Sequence, residues 1–168
     1  MRKLIANEWM TLDGVVQAPG YADEDTSGGF RQGGWHLQYF DDLARKWVVE
    51  GYAAAGGFVF GRRTYELLAS YWPNAPEEEE AVAGPLNTLP KYVASRTLSE
   101  PLEWSGSNLL GDDIPKAVAA LKQEDGKDLH VVGSSELINT LVEHDLVDEF
   151  RLDDRPGRRR RRKARLPR

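Results

Sequence analysis

Short apolar strands alternate along this chain with segments of helical periodicity, and this alternation constrains its fold more than any other feature. Helices are predicted where apolar residues recur every three or four positions, and strands where short apolar runs are bounded by turn-forming residues. The predicted strands are residues 4–10, 58–60, 91–94, 129–132 and 147–152. The predicted helices are residues 37–51, 65–71, 114–124 and a segment that follows residues 133–135 and ends near His144. Such alternation favours an α/β fold with a mainly parallel central sheet.

Two long connections interrupt the alternation. Residues 17–34 are rich in Gly, Asp, Ser and Pro, and a loop of that length in a compact domain is typically functional or mobile. Residues 73–85 are predicted to form a second loop, which carries the acidic run at 77–80. We interpret that run as a solvated surface segment.

The bulk composition indicates one globular domain. The chain has 168 residues, of which 40% are hydrophobic, enough to bury a core and to argue against intrinsic disorder. No run approaches the ~18 apolar residues that span a bilayer, and the first residues do not resemble a signal peptide. There is no cysteine, and the three histidines are far apart in the sequence, so no metal site is predicted. We expect a cytoplasmic protein with no membrane partner.

The charge is distributed unevenly. Residues 151–168 hold ten of the 22 Lys and Arg and two of the 27 Asp and Glu, a net charge of +8, which leaves −13 for residues 1–150. A nucleic-acid-binding domain needs a basic face, so the acidic body argues against a nucleic-acid partner. Any role of the basic end is therefore separate from the fold.

Three of the predicted strands end in the same kind of turn, at residues 61–64, 95–97 and 133–135. Glycine allows a sharp turn and a close approach of ligand, and a helix that begins there points free N–H groups at an anion. The hydroxyl and guanidinium groups of these turns can bind phosphate as well. Each turn alone could hold only an N-cap serine or a surface arginine, but together they indicate a phosphorylated cofactor. The G-x-G-x-x-G dinucleotide fingerprint is absent.

The sequence resembles the dihydrofolate-reductase-like superfamily, specifically the stand-alone relatives of the reductase domain of the riboflavin-biosynthesis deaminase/reductase. The resemblance covers about residues 2–152. The motifs that carry it are TLDG at 11–14, GWH at 34–36, FGRRTYE at 60–66, KYVASRTL at 91–98, VGSSEL at 132–137 and LVDEF at 146–150.

This resemblance implies a three-layer α/β/α fold in which NADPH lies across the strand ends. It implies cofactor contacts with the pyrophosphate at residues 61–64 and 133–137, with the adenosine and its 2′-phosphate at 95–97, and with the nicotinamide near Ala6. The implied cofactor-binding residues are Ala6, Gly61, Arg62, Arg63, Thr64, Ser95, Arg96, Thr97, Gly133, Ser134, Ser135, Glu136 and Leu137.

The resemblance also places a pterin-like or aminopyrimidine substrate under the loop that follows Asp13. We expect Asp13 to bind substrate and to supply the proton that accompanies hydride transfer, although Leu-Asp-Gly is also an ordinary turn. Trp35 and His36 are candidates to stack on or bond to the substrate ring, and a loop tryptophan is also a common packing anchor.

Three functions stay open. The first is NADPH-dependent reduction of a small heteroaromatic substrate, most like 5-amino-6-(5-phosphoribosylamino)uracil; few basic residues lie near 13–40 to bind its phosphate, only Arg31 and Arg45. The second is a pterin or dihydrofolate reductase, which favours an acid on the first helix, where Asp41 and Asp42 are available. The third is a catalytically impaired protein that binds nucleic acid or acidic partners through its basic end. A homodimer is an open alternative.

The basic end departs from the family pattern. The family continues after Leu152 with a final pair of apolar strands, which is missing from residues 153–168. We therefore expect a reductase domain at 1–152 and a disordered tail at 153–168, because so charged a segment buries too little to order itself. A shifted reading frame in a GC-rich gene is our hypothesis for its origin.

Overall fold

The computed structural model describes residues 1–155 and builds them around a six-stranded sheet. The strands are β1 Leu4–Thr11, β2 Gly57–Gly61, β3 Lys91–Ala94, β4 Ser107–Leu109, β5 Leu129–Val132 and β6 Glu149–Arg155. The helices are α1 Asp42–Ala54, α2 Arg62–Ala69, α3 Glu80–Thr88, α4 Ile114–Gln123 and α5 Ser135–Glu143. Every predicted strand is present, and the short β4 is the one described strand that periodicity did not indicate.

The strands of this sheet are arranged in the order β4-β3-β2-β5-β1-β6. All of the described pairs are parallel, with Asn7 of β1 opposite Val132 of β5 on one side and Arg151 of β6 on the other. The carboxyl ends of the strands therefore lie along one edge of the sheet, where ligands bind in folds of this kind.

Helices cover both faces of the sheet, which confirms the three-layer α/β/α architecture. On one face, Val118 of α4 and Leu141 of α5 pack with the apolar side chains of β1 and β5. On the other face, Val48 of α1 and Leu86 of α3 pack with Phe58 and its neighbours on β2 and β3. Burial of these apolar surfaces is the main force that holds the layers together.

The predicted loop at 73–85 is wrong, because α3 begins within it and continues beyond it. Proline usually interrupts a helix by removing an N–H donor, and Pro85 lies inside α3. The helix is maintained by tertiary packing, since Val82, Ala83 and Leu86 are buried and α3 contacts α1.

Two predicted helix boundaries also move. The segment predicted as one helix at 37–51 is a 3-10 turn at Leu37–Tyr39 followed by α1, because the Asp41 carboxylate accepts a hydrogen bond from the Ala44 N–H and starts a new helix there. The helix predicted at 65–71 begins three residues earlier, directly after Gly61.

The last described strand extends past the predicted boundary at Leu152. β6 continues to Arg155, and Asp153 lies opposite Trp9 of β1. The chain therefore leaves the sheet at least three residues later than expected. The predicted disordered tail otherwise falls on residues 156–168, which lie outside the described residues. Within 1–155, no helix combines the length and apolar character needed to cross a bilayer.

Candidate functional site

An open cleft of about 1290 Å³ runs along the carboxyl ends of β3, β2, β5 and β1. The three turns singled out in the sequence converge on it. The predicted cofactor-binding residues that line the cleft are Gly61, Arg62, Arg63, Thr64, Ser95, Arg96, Thr97, Gly133, Ser134, Ser135, Glu136 and Leu137. Parallel strands bring these turns together, although they are separated by more than 30 residues along the chain.

Two of the helices that begin at this cleft have no side-chain cap. At the starts of α1 and α4, Asp41 and Asp113 accept hydrogen bonds from backbone N–H groups. At the starts of α2 and α5, the N-cap residues Gly61 and Ser134 make no such bond. First-turn N–H groups without a side-chain partner, at the positive ends of two helix dipoles, can bind an anion such as a phosphate.

The Ser134 hydroxyl connects these two helix starts. Its oxygen accepts a hydrogen bond from the Gly61 N–H at 2.8 Å, and its proton is donated to Thr64 Oγ1 at 2.7 Å. Ser134 has a left-handed backbone (φ 65°), and so does Gly133 before it (φ 55°). The sequence predicted a hydroxyl that binds phosphate, whereas this hydroxyl fixes the position of one turn against the other.

The three arginines of the cleft differ in their partners. The guanidinium of Arg62 lies 3.5 Å from the Glu66 carboxylate, one helical turn away, and that of Arg63 lies 3.9 Å from Asp25 in the long loop. Arg96 is exposed and forms no ion pair with the described residues. Among the three, Arg96 has the cation most accessible to a ligand's phosphate.

The floor of the cleft carries an acid that sequence reasoning missed. Glu8 of β1 is 9% exposed, and its Oε2 accepts a hydrogen bond from the Ser135 hydroxyl at 3.2 Å. Burial raises the pKa of this carboxyl to about 8, with a smaller contribution from the negative charge of Glu24. A glutamate inside an apolar strand was the only signal in the sequence, and it can equally mark a solvated position.

Beside Glu8, Asn7 is held rigidly on the opposite face of β1. Its amide nitrogen donates to the backbone oxygens of Ile5 and Val131 and lies 3.2 Å from His130 Nδ1. Burial lowers the pKa of His130 to about 4, so the ring is neutral near pH 7 and can accept that bond.

Asp13, predicted as the proton donor, does not line the cleft. It is exposed in the turn after β1, where its carboxylate accepts a hydrogen bond of 2.7 Å from the Thr11 hydroxyl. The ordinary-turn interpretation of Leu-Asp-Gly therefore describes its environment. Ala6 is also outside the cleft, since it is fully buried in the core beneath it.

Trp35 and His36 support the long loop and do not line the cleft. The Trp35 indole is buried and donates to the Gln17 carbonyl at 2.9 Å. The His36 ring is fully buried, stacks on Trp9 with centroids 3.9 Å apart, and has Nε2 3.1 Å from Asp153. The packing alternative applies to both, while Trp9, against which His36 stacks, does line the cleft.

The end of the cleft next to α1 is aromatic and basic. Trp9, Trp47 and Tyr52 are among its lining residues, together with Arg45 and Arg151. Gly51 in the middle of α1 gives room here, since a Cβ atom at that position would lie 3.9 Å from Arg151 Nη1. Such walls suit a flat ring that carries negative charge. No group of three or more metal-ligating side chains converges within 1–155.

Comparison with known proteins assigns the chain to a family. The family model of the RibD C-terminal domain matches residues 2–156. The uncharacterized protein YyaP of Bacillus subtilis (strain 168) is 34% identical over 100 residues, which make up 58% of this chain and 52% of that protein. The chain thus spans about half the length of this curated relative.

Two solved structures share the fold. A protein described as a riboflavin biosynthesis protein, from Shewanella sp. PV-4, superposes with a TM-score of 0.58 at 18% identity, covering 92% of this chain and 77% of that one. Dihydrofolate reductase from Schistosoma mansoni superposes with a TM-score of 0.51 at 14% identity, covering 91% and 73%. These likenesses confirm the dihydrofolate-reductase-like fold. Because the family model matches the chain from residue 2 to residue 156, the protein belongs to the RibD C-terminal domain family.

Proposed function

We propose that this protein is an NADPH-dependent reductase of a small heteroaromatic compound. The observation that carries the proposal is the pair of helix starts without side-chain caps, at Gly61 and Ser134, which face one cleft and are joined by a hydroxyl bridge. Family membership supports the same conclusion, since the family is named for the C-terminal domain of a riboflavin-biosynthesis protein.

The residues around the cleft fit a phosphorylated dinucleotide. The first-turn N–H groups of α2 and α5 would hold the pyrophosphate, and Arg96 would hold the 2′-phosphate that distinguishes NADPH from NADH. Gly61 could not easily be replaced, because a Cβ atom there would lie 3.3 Å from the Ser134 side chain. The cleft is thus narrow where backbone must approach a ligand closely.

When bound, NADPH supplies a hydride to an electrophilic carbon, and the protein supplies orientation and a proton. In the proposed site, the side chains of Trp9 and Trp47 would hold the substrate ring and exclude water. Arg45 and Arg151 would bind an anionic substituent of the substrate.

The aminopyrimidine of riboflavin biosynthesis is favoured over a pterin as substrate. Arg151 adds a basic residue that the sequence did not place near the substrate, so two guanidinium groups, with Arg45, line the cleft end that a ribose phosphate would need. The acids considered for a pterin do not serve, because Asp41 caps α1 and neither Asp41 nor Asp42 lines the cleft. Binding through the basic end remains a separate alternative that concerns residues outside those described.

Substrate turnover tests this assignment. Consumption of NADPH would be followed with the phosphoribosylamino-uracil and, separately, with dihydrofolate. We expect turnover of the pyrimidine and at most weak turnover of dihydrofolate. Efficient reduction of dihydrofolate alone would overturn the substrate assignment while leaving the cofactor assignment in place.

A further inference from the structure

The position of Glu8 is unusual for a carboxyl group. Leu4, Ala6 and Glu8 alternate along β1 and point to the same face of the sheet, and the first two are fully buried in the core under α4 and α5. Glu8 continues this row at the point where the core ends and the cleft begins. The side chain is therefore inside the protein on three sides and faces the cleft on the fourth.

No cation compensates this burial. Among the described residues Glu8 forms no ion pair, and its recorded hydrogen bond is the one from the Ser135 hydroxyl. A buried acid without a cation favours its protonated form, in which it can donate as well as accept. A carboxyl kept only for structure would be replaced at little cost by a neutral side chain, since burying charge destabilises a fold.

A second acid lies close enough to influence it. Glu24 belongs to the loop that covers the cleft, and its negative charge opposes ionisation of Glu8. Glu24 Oε2 accepts hydrogen bonds from the N–H groups of Gly20 and Tyr21, at 2.7 and 3.1 Å, whereas Glu8 accepts a single bond from a hydroxyl. Backbone donors favour the ionised form, so the proton shared by such a pair resides mainly on Glu8.

We propose that Glu8 is the acid that protonates the substrate, with Ser135 as the residue that orients its carboxyl group. This inference rests on the proposed reductase function. The substrate carbon of a C=N bond gains a hydride from the reduced nicotinamide, the π electrons of that bond move to nitrogen, and the nitrogen takes the proton from Glu8. The products are the amine, the oxidised nicotinamide and the Glu8 carboxylate, which regains a proton from water.

The decisive variant is Glu8→Gln, which keeps the shape and removes the proton. We expect the Kd for NADPH to stay within about threefold of the wild-type value, while kcat falls by about 100-fold or more, the range typical for loss of a general acid. The exposed Glu143, which does not line the cleft, provides the matched control as Glu143→Gln, with both quantities unchanged.

Infrared difference spectroscopy gives a readout that is independent of turnover. The carbonyl stretch of a protonated carboxyl should be present in the wild-type protein at neutral pH, absent from Glu8→Gln, and lost on titration through about pH 8. Ser135→Ala should shift that titration while Glu143→Gln leaves it unchanged. An ionised Glu8 at neutral pH would overturn the proposal.

The outcomes also separate this inference from the proposed function. Failure of the wild-type protein to bind NADPH would remove the reductase function itself. Normal NADPH binding and undiminished kcat in Glu8→Gln would reject Glu8 as the acid and leave the reductase intact. A Kd raised more than about tenfold with kcat unchanged would likewise reject it and assign Glu8 to cofactor binding.

Discussion

The Ser134 hydroxyl donates a hydrogen bond of 2.7 Å to Thr64 Oγ1 and thereby joins the first residues of α5 and α2. The two residues are 70 positions apart in the chain and lie on neighbouring strand–helix turns of the parallel sheet. The same hydroxyl accepts from the Gly61 N–H. One side chain therefore sets the spacing of the two anion-binding helix starts.

Removing this bridge should weaken cofactor binding more than it weakens the fold. We expect Ser134→Ala to lower the free energy of unfolding by about 1 kcal/mol, the usual cost of one lost hydrogen bond. NADPH affinity should also fall, because the two helix starts are no longer held in register. A double-mutant cycle with Thr64→Val would measure the coupling, and fully additive effects of the two substitutions would contradict the bridge.

Arg96 should determine the preference between the two nicotinamide cofactors. We expect Arg96→Gln to weaken NADPH binding by roughly 10- to 100-fold, as loss of one charged hydrogen-bonding partner predicts, and to leave NADH binding nearly unchanged. Arg31→Gln is the matched control, because Arg31 is also exposed but does not line the cleft. Equal losses for NADPH and NADH would mean that Arg96 does not contact the 2′-phosphate.

The burial of Glu8 should be visible in the pH dependence of stability. Its pKa rises on folding from 4.5 to about 8, so between these values the folded protein keeps a proton that the unfolded chain has released. Stability therefore falls as pH rises through this window, by up to about 1.4 kcal/mol per pH unit from this group.

Comparison with Glu8→Gln isolates that contribution. Urea unfolding at about pH 5 and about pH 8 should show the variant gaining stability relative to the wild type at the higher pH. A difference between the two proteins that is independent of pH would show that Glu8 ionises normally in the folded state.

The contact between Asp153 and His36 makes the end of β6 part of the scaffold of the cleft. The Asp153 side chain is 11% exposed, and His36 stacks on Trp9, a lining residue of the cleft. We expect Asp153→Ala to lower the free energy of unfolding by about 1–3 kcal/mol, because it removes a hydrogen bond to a fully buried ring.

Asp154→Ala provides the comparison for this effect, since it changes the next residue of the same strand. Chemical denaturation of both variants would measure it. If the two substitutions had the same small effect, the Asp153–His36 contact would not stabilise the fold.

Much of the cleft could be predicted from sequence because its residues follow strands directly. Gly61, Ser95 and Gly133 are each the first turn residue after an apolar run, and parallel pairing then brings them to one edge. The role of the Ser134 hydroxyl could not be predicted, since it depends on a contact with a turn 70 residues earlier.

The acid of the site could not be identified from local pattern. Asp13 has the sequence context of a functional loop, yet its carboxylate is used inside its own turn, with Thr11. Glu8 has no motif around it, and what buries it is α5, whose Ser135 is 127 residues away in the chain. Similarly, Pro85 suggested a break where packing against α1 maintains a helix.

Direct titration of the folded protein with NADPH, followed by nucleotide fluorescence, tests the central claim of a dinucleotide-binding cleft. We predict saturable binding of one NADPH per chain, weaker binding of NADH, and a clear loss of affinity in Arg96→Gln. Absence of NADPH binding by a folded sample, or binding that Arg96→Gln and Ser134→Ala leave unchanged, would contradict it.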